Sequence, residues 1–321
     1  MDRQTQSSQY LKRLTNIGAI MLMAGSVGFV SVASAEEGNE NENTTENSSS
    51  ATSNPDTLVL DCTIRDFRPY ANCTPGGHPD FETFGGTSTV GLVSEYLGDN
   101  GKPVSSGNLR GFTIKKEFKD SSGRNINPAS YDPEKGDIAG QIAAGGGGNG
   151  LTSSEAFDQW YTDVPGINLS KNITLTLNRV EGTDRFVFDS AVDTEHQSGG
   201  WFLPINGELL GNFRDDRNYH FTTEINTQFT FHAQTGQVFK FTGDDDVWVF
   251  IDGRLVVDLG GLHPKREQFL DLDRLDWLDD GRTYSLDIFH AERRYRGSNF
   301  RIETTLQLRS VELPPVSAIY D

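Results

Sequence analysis

A two-residue rhythm of apolar and polar side chains dominates this chain beyond residue 57 and narrows its fold more than any other feature. Ile173, Leu175 and Leu177 alternate with Thr174, Thr176 and Asn178, and Tyr284, Leu286 and Ile288 alternate with Ser285, Asp287 and Phe289. Phe300, Ile302, Leu306 and Leu308 keep the same phase. Such alternation belongs to half-buried strands with one face inward. Asn206-Gly207, Asp252-Gly253 and Asp280-Gly281 mark tight turns, and Gly98 to Gly101 and Gly145 to Gly150 mark looser breaks. Regularly spaced short strands predict an all-β fold, an antiparallel sandwich or barrel. One short helix stands out against them. Thr152-Ser153-Ser154-Glu155 reads as a capping box, and Phe157, Trp160 and Tyr161 follow at helical spacing, predicting a helix over 153–162 with an aromatic face packed on the sheets. No internal repeat is visible.

The first sixty residues concern location. Arg3, Lys12 and Arg13 precede an apolar run from Ile17 to Val32 that closes on Ala33-Ser34-Ala35, the pattern of a cleaved export signal over residues 1–35. Gly18, Gly25, Ser26 and Gly28 interrupt that run, which is short for a bilayer span, so no membrane span is expected after cleavage. Residues 36–57 are acidic and rich in Asn, Ser and Thr, and lack the apolar area to offset chain ordering; they read as a disordered linker. Residues 58–309 form the expected β domain and 310–321 a tail. In a secreted or cell-surface protein the two cysteines, Cys62 and Cys73, suggest one disulfide closing a small loop, with two buried thiols as the alternative.

The charge is lopsided: 46 Asp and Glu against 28 Lys and Arg give a formal net charge of −18. A field of that sign repels phosphate backbones and argues against nucleic acid as a partner. Most of these acids read as solvated surface. The concentration at Gly243-Asp244-Asp245-Asp246 is different, because it sits between two apolar segments, 238–242 and 247–251, with a third at 255–258; the three read as a meander. At an effective dielectric near 20, two carboxylates about 5 Å apart repel by roughly 3 kcal/mol. A calcium ion is the cation best suited to offset this outside a cell, since it takes six to eight oxygen ligands; a solvated Asp-rich turn is the simpler alternative.

Several strings together resemble one family: CTIRDF (62–67), GGHPDFETF (76–84), FDQWYTDVPGIN (157–168), FTTEINTQFTF (221–231), FTGDDDVWVFIDGRLVVDLGGLH (241–263) and LDIFHAERRYRGSNFRIETTL (286–306). They resemble the fibro-slime domain, which is similar to the carbohydrate-binding domain of the protective antigen and the flocculins. The resemblance implies an antiparallel β-sandwich in which two adjacent aspartates, joined by a cis peptide, hold calcium, and the ion in turn binds sugar hydroxyls. It places that pair on Asp244 and Asp245 and leaves Asp246 as the variable position. A second loop, 294–299, would complete the metal site through Asn299 and the carbonyls of Gly297 and Ser298. Around the sugar, Tyr295 and Arg296 are candidates for stacking, and His263 either borders the pocket or caps a turn. His78, Asp80 and Glu82 alternate on an extended segment as a lesser metal candidate, and His290 with Glu292 reads as a buried pair.

The resulting expectation is a secreted, calcium-dependent carbohydrate-binding or adhesion module acting on an extracellular glycan or cell-surface polysaccharide. The alternative is a matrix or signalling protein that uses the same fold to contact matrix proteins. Catalysis is not expected, because a glycosidase needs two carboxyls facing each other across a cleft, whereas adjacent acids share one side.

Overall fold

The computed structural model describes residues 55–70, 76–145 and 150–311. The export signal, most of the linker, Cys73 and all but the first residues of the tail lie outside them. Sixteen strands run through the described chain. The first eight are β1 (Thr57–Phe67), β2 (Thr89–Val90), β3 (Phe112–Lys116), β4 (Gln141–Ala144), β5 (Asn168–Arg179), β6 (Phe186–Asp189), β7 (Gln197–Ser198) and β8 (Trp201–Phe202). The others are β9 (Phe221–Thr230), β10 (Val238–Gly243), β11 (Asp246–Ile251), β12 (Arg254–Leu259), β13 (Arg266–Asp271), β14 (Thr283–Glu292), β15 (Phe300–Thr304) and β16 (Arg309–Ser310). Ser310, assigned from sequence to the tail, is therefore in a strand, and its hydroxyl donates to the Val59 carbonyl at 3.1 Å.

Eleven strands form one antiparallel sheet in the order β12-β11-β14-β9-β1-β5-β6-β15-β10-β13, with β16 added against β9. Its two ends are joined by a side chain. Gln268 on β13 accepts from the Asp258 N–H of β12 at 2.9 Å and donates to the Asp258 carbonyl at 2.7 Å, standing in for a backbone ladder. The sheet is thus curled around one core, to which Leu60, Leu175, Phe186, Phe241, Val257 and Ile288 contribute from six different strands. The expected all-β, antiparallel class is what the structure has.

Strand β11 shows why Val247-Trp248-Val249-Phe250-Ile251 lacks polar alternation. Val247, Val249 and Ile251 enter the main core, while Trp248 and Phe250 enter a second core on the opposite face. A strand covered on both sides has no wet face to keep polar. The cover comes from the segment between β1 and β5, which brings Phe81, Leu92, Leu151, Phe157, Trp160 and Tyr161 onto that outer face. Trp248, expected in the core, is fully buried and donates its indole N–H to Asp258 at 3.1 Å.

Two local expectations change. The helix expected over 153–162 is a single turn, Ser154–Phe157, with Ser153 rather than Thr152 as the cap: its hydroxyl accepts from the Ala156 N–H at 3.1 Å. Beyond Phe157 the chain turns, because packing of Trp160 against Trp248 and of Tyr161 against Phe289, with ring centroids 6.1 Å and 4.9 Å apart, sets its path. The meander is also absent. Strand β10 pairs with β13 and β15, whereas β11 pairs with β12 and β14. The acidic link between β10 and β11 is a crossing from one end of the curled sheet to the other, not a hairpin.

Cys62 is a free thiol, which corrects the expected disulfide with Cys73. It lies on the inward face of β1 between Leu60 and Ile64, sealed from solvent, and burial beside Asp61 pushes its pKa well up. Alkylation of the native protein followed by peptide mass mapping should leave Cys62 unmodified, and denaturant should make it react.

Asp66, also on β1, is fully buried and accepts from Asn218 Nδ2 at 2.9 Å and the Leu210 N–H at 2.8 Å. Burial outweighs these donors and pushes its pKa up to about 7. Because the folded state holds this proton more tightly than the unfolded chain, its contribution is complete below about pH 4. It is lost as pH rises toward 7, on the order of 4 kcal/mol in all. Urea unfolding across that range should show the slope, and Asp66→Asn should flatten it while lowering stability at pH 4.

Candidate functional site

The crossing between β10 and β11 brings three consecutive aspartates to one end of the sheet, and all three are buried. The Asp244–Asp245 peptide is cis. The three side chains then have separate surroundings. Asp244 faces the loop between β14 and β15: its Oδ1 accepts from the Asn299 backbone N–H, its Oδ2 accepts from Asn299 Nδ2 at 2.8 Å, and its own N–H donates to the Asn299 carbonyl at 3.2 Å. Asp245 has weaker partners, the His263 and Arg293 N–H groups, both at 3.3 Å. Asp246 turns inward and takes the Gly261 N–H at 2.6 Å and Arg293 Nε at 2.6 Å.

Asp246, the variable position that the resemblance implied, is half of an ion pair with no exposed side-chain surface on either partner. The Arg293 guanidinium also donates to the Gly150 carbonyl at 3.0 Å and lies 4.9 Å from the centroid of the Trp160 ring. A sequence reading misses this pair because Arg293 resembles its neighbours Arg294 and Arg296, which are exposed. The immediate approach of an apolar strand after Asp246 was the available signal. Removing one partner of a buried pair strands the other charge, so Asp246→Ala should lower stability by about 3 to 5 kcal/mol in denaturant melts. Asp245→Ala, which gives up only two long hydrogen bonds, should cost less.

The loop residues expected to complete a metal site divide. Asn299 is in direct contact with Asp244, as above. Gly297 approaches closely too: a Cβ at this position would lie 3.1 Å from Asp244 Oδ2, and its φ of 107° favours glycine. Ser298, in contrast, is committed elsewhere. Its carbonyl accepts from the Phe202 N–H at 2.7 Å and its hydroxyl donates to the Phe202 carbonyl at 2.6 Å, so it anchors the loop to β8. Ser298 is a strut for the loop, with one donor already on its carbonyl.

His263 is buried and supports Asp245 through its backbone, while its ring nitrogens face the Pro264 and Leu259 carbonyls at 3.0 and 3.2 Å. Burial pulls its pKa down. It closes a turn and presents no imidazole to solvent. Tyr295 is half-buried against the main core rather than free on a loop tip, with the Arg214 guanidinium 4.5 Å from its ring centroid and that of Arg296 at 5.7 Å. Arg296 itself is exposed.

His78, Asp80 and Glu82 do not converge. His78 contacts the Ala156 carbonyl at 3.1 Å, Asp80 takes the Thr152 N–H at 2.7 Å and the Trp160 indole at 3.1 Å, and Glu82 takes His220 Nε2 at 3.0 Å and the Tyr295 N–H at 2.6 Å. His290 and Glu292 are both buried but do not pair. His290 Nε2 donates to the Asp244 carbonyl at 3.0 Å, and Glu292 Oε1 accepts from the Arg294 N–H at 3.3 Å.

The electrostatics of this end of the sheet are unbalanced. With Asp246 neutralised by Arg293, Asp244 and Asp245 have their pKa values raised by burial, Asp245 further by Asp246. Glu292 joins them: burial and then the charges of Asp245 and Asp244 push its pKa well up, and its Oε2 is buried with no hydrogen-bond partner. Among the described residues no three His, Cys, Asp or Glu side chains form a ready-made ligand set. A cation here would rest on the aspartate pair and on amide, carbonyl or water oxygens, which is a calcium-type rather than a zinc-type donor set.

The stretch of chain that builds this end of the sheet is similar in sequence to known proteins. Residues 212–313 match the PA14 domain. That span holds the acidic crossing, its supporting turn at 260–263 and the 293–299 loop, whereas the second core reaches the sheet from outside it. Two relatives from Dictyostelium discoideum extend the likeness. Protein psiQ is 38% identical over 171 residues, covering 49% of this chain and 16% of its own length. Protein psiR is 31% identical over 261 residues, 79% of this chain and 22% of its own length. The chain thus matches less than a quarter of either relative. A solved PA14 sugar-binding domain from an RTX adhesin overlaps 40% of this chain and 71% of that one, at 16% identity and a TM-score of 0.24. Among the described residues no helix is long and apolar enough to cross a membrane.

Proposed function

We propose that this protein is a secreted or cell-surface module that binds carbohydrate through a calcium ion held at the β10–β11 crossing. The observation that carries the reading is the buried, uncompensated carboxylate pair Asp244–Asp245 with Asn299 folded over it and the Gly297 backbone beside it. The PA14 match supports a sugar-binding or adhesion role for the same stretch of chain. The finer likeness, to the fibro-slime domain, rests on the sequence strings.

In this reading Asp244 and Asp245 give the carboxylate oxygens, Asn299 its amide oxygen and Gly297 a backbone carbonyl. Calcium, when bound, offsets the carboxylate charge and offers open coordination positions to sugar hydroxyls. The protein keeps the donors in place. His290 fixes the Asp244 carbonyl, the His263 and Arg293 amides orient Asp245, and Ser298 ties the loop to Phe202. Arg296, exposed at the rim, is placed to meet a glycan, while the ring of Tyr295 is flanked by arginines and serves the loop's packing. The adjacent acids share one corner and do not face each other across a cleft, which favours binding over glycoside hydrolysis.

Glycan-array binding in calcium should be abolished by EDTA and by Asp245→Ala. Gly297→Ala, which puts a methyl against Asp244, should weaken it at least tenfold. A calcium-dependent rise in melting temperature without binding to any glycan would instead favour the matrix-contact reading, with the ion structural. Sugar binding that ignores EDTA and Asp245→Ala would sink the calcium mechanism.

A further inference from the structure

We infer that a cavity at the opposite end of the β11–β12 hairpin is a second binding pocket, for a neutral saccharide, that uses no metal ion. The cavity has a volume of about 330 Å3 and lies between the start of β12, the turn after β13 and the loop around residues 127–135. Strand β12 runs from this pocket at Arg254 to Leu259, next to the acidic crossing, so at about 3.3 Å per residue the two sites are roughly 17 Å apart.

The walls are of three kinds. Leu255, Leu270 and Leu275 give an apolar floor. Two amphipathic aromatics, Tyr131 and Trp277, line the sides, both half-buried and both without a hydrogen bond from the Tyr131 hydroxyl or the Trp277 indole to another described residue. Each ring is braced from outside the pocket: Tyr131 stands edge-on to Phe118 at 5.5 Å and Trp277 edge-on to Tyr284 at 6.3 Å. The charged part of the lining is balanced, Lys135, Arg254 and Arg274 against Glu95, Asp132 and Asp276.

Part of that charge is already committed. Arg254 Nε donates to Glu95 at 3.2 Å, with its guanidinium 5.4 Å from the Trp277 ring centroid, and Arg274 is held by Asp137 and by the Ser130 carbonyl at 3.1 Å. These pairs fix forked donors beside an aromatic wall before any ligand arrives. A phosphate or other polyanion would meet the three carboxylates, and a cation would meet the arginines. An apolar ligand would leave the polar half of the lining unpaired. A sugar ring satisfies all three walls at once. Its C–H face suits an indole or phenol, and each hydroxyl both donates and accepts, as a lining that sets the Tyr131 hydroxyl and the Trp277 N–H beside carboxylates requires. The volume fits one or two sugar units.

The inference does not rest on the calcium reading, and one experiment separates them. The full chain in excess EDTA is titrated with glucose, galactose, mannose, N-acetylglucosamine, maltose and cellobiose, followed by calorimetry and by tryptophan fluorescence. At least one of these saccharides should bind without calcium. Its affinity should fall roughly fivefold to tenfold in Tyr131→Phe, which removes one hydroxyl and no packing. It should be lost in Trp277→Ala and unchanged in Asp245→Ala. Should Trp277→Ala fail to fold by circular dichroism, Tyr131→Phe and Asp276→Asn decide the matter. The assignment is overturned if none of the six saccharides binds in EDTA, or if metal-free binding survives the pocket variants undiminished.

Discussion

The ion pair between Asp246 and Arg293 is the interaction on which the acidic end of the curled sheet depends. Neither side chain has any surface in water, and Arg293 reaches from the end of β14 to the first residue of β11. A lone guanidinium or carboxylate in such a place would take several kcal/mol from the stability of the fold, so each depends on the other. The consequence is positional. With Asp246 turned into the protein and pinned, the two preceding aspartates have nowhere to go but the mouth of the crossing. There Asn299 meets one of them and the His263 and Arg293 amides meet the other. The pair separates three chemically identical residues into one held by a full ion pair and two held only by amide donors.

The same end of the sheet is assembled from pieces far apart in sequence. The crossing contributes Asp244 to Asp246, the turn after β12 contributes Gly261 and His263, and the β14–β15 loop contributes Arg293 to Asn299. Strand order explains the meeting. Because β10 and β11 belong to distant positions in the curled sheet, the link between them has to pass over the rim, where the loops from β12 and β14 also emerge. A hairpin would have left the acids on a solvated tip, where three carboxylates are unexceptional. Passage across the rim buries them, and burial turns a common turn composition into an electrostatic problem.

Much of this was legible in the residues. The two-residue alternation around Leu175, Leu286 and Ile302 located real strands, and the Asp-rich link between apolar runs marked the crossing where three aspartates are buried. What the sequence withheld was pairing. Adjacent strands in sequence are commonly adjacent in space, and nothing in Val238 to Ile251 announces that β10 and β11 part company. Burial partners were equally hidden. Cys62 looked like half of a disulfide because its count and compartment suggested one, but its phase with Leu60 and Ile64 already placed it inside. The phase was the better guide. Among three similar arginines, only the structure distinguishes the one that faces Asp246, since local composition does not encode which side of a loop reaches the core.

The two-sided burial of β11 links the ends of the molecule. Trp248 and Phe250 lock the strand against the second core while Val247, Val249 and Ile251 lock it against the first, so the β11–β12 hairpin is a rigid spar held on both faces. One end of that spar carries the acidic crossing, and the other carries Arg254 beside Trp277 and Tyr131. Sites on a stiff element keep a fixed separation, and a polymeric ligand that reaches both gains the second contact at high effective concentration. A flexible spar would forfeit that gain through the entropy of ordering it. The segment before β5 that covers Trp248 and Phe250 lies outside the residues that match the PA14 domain. In this chain it covers the outer face of β11 and so buries the matched portion's central strand on both sides.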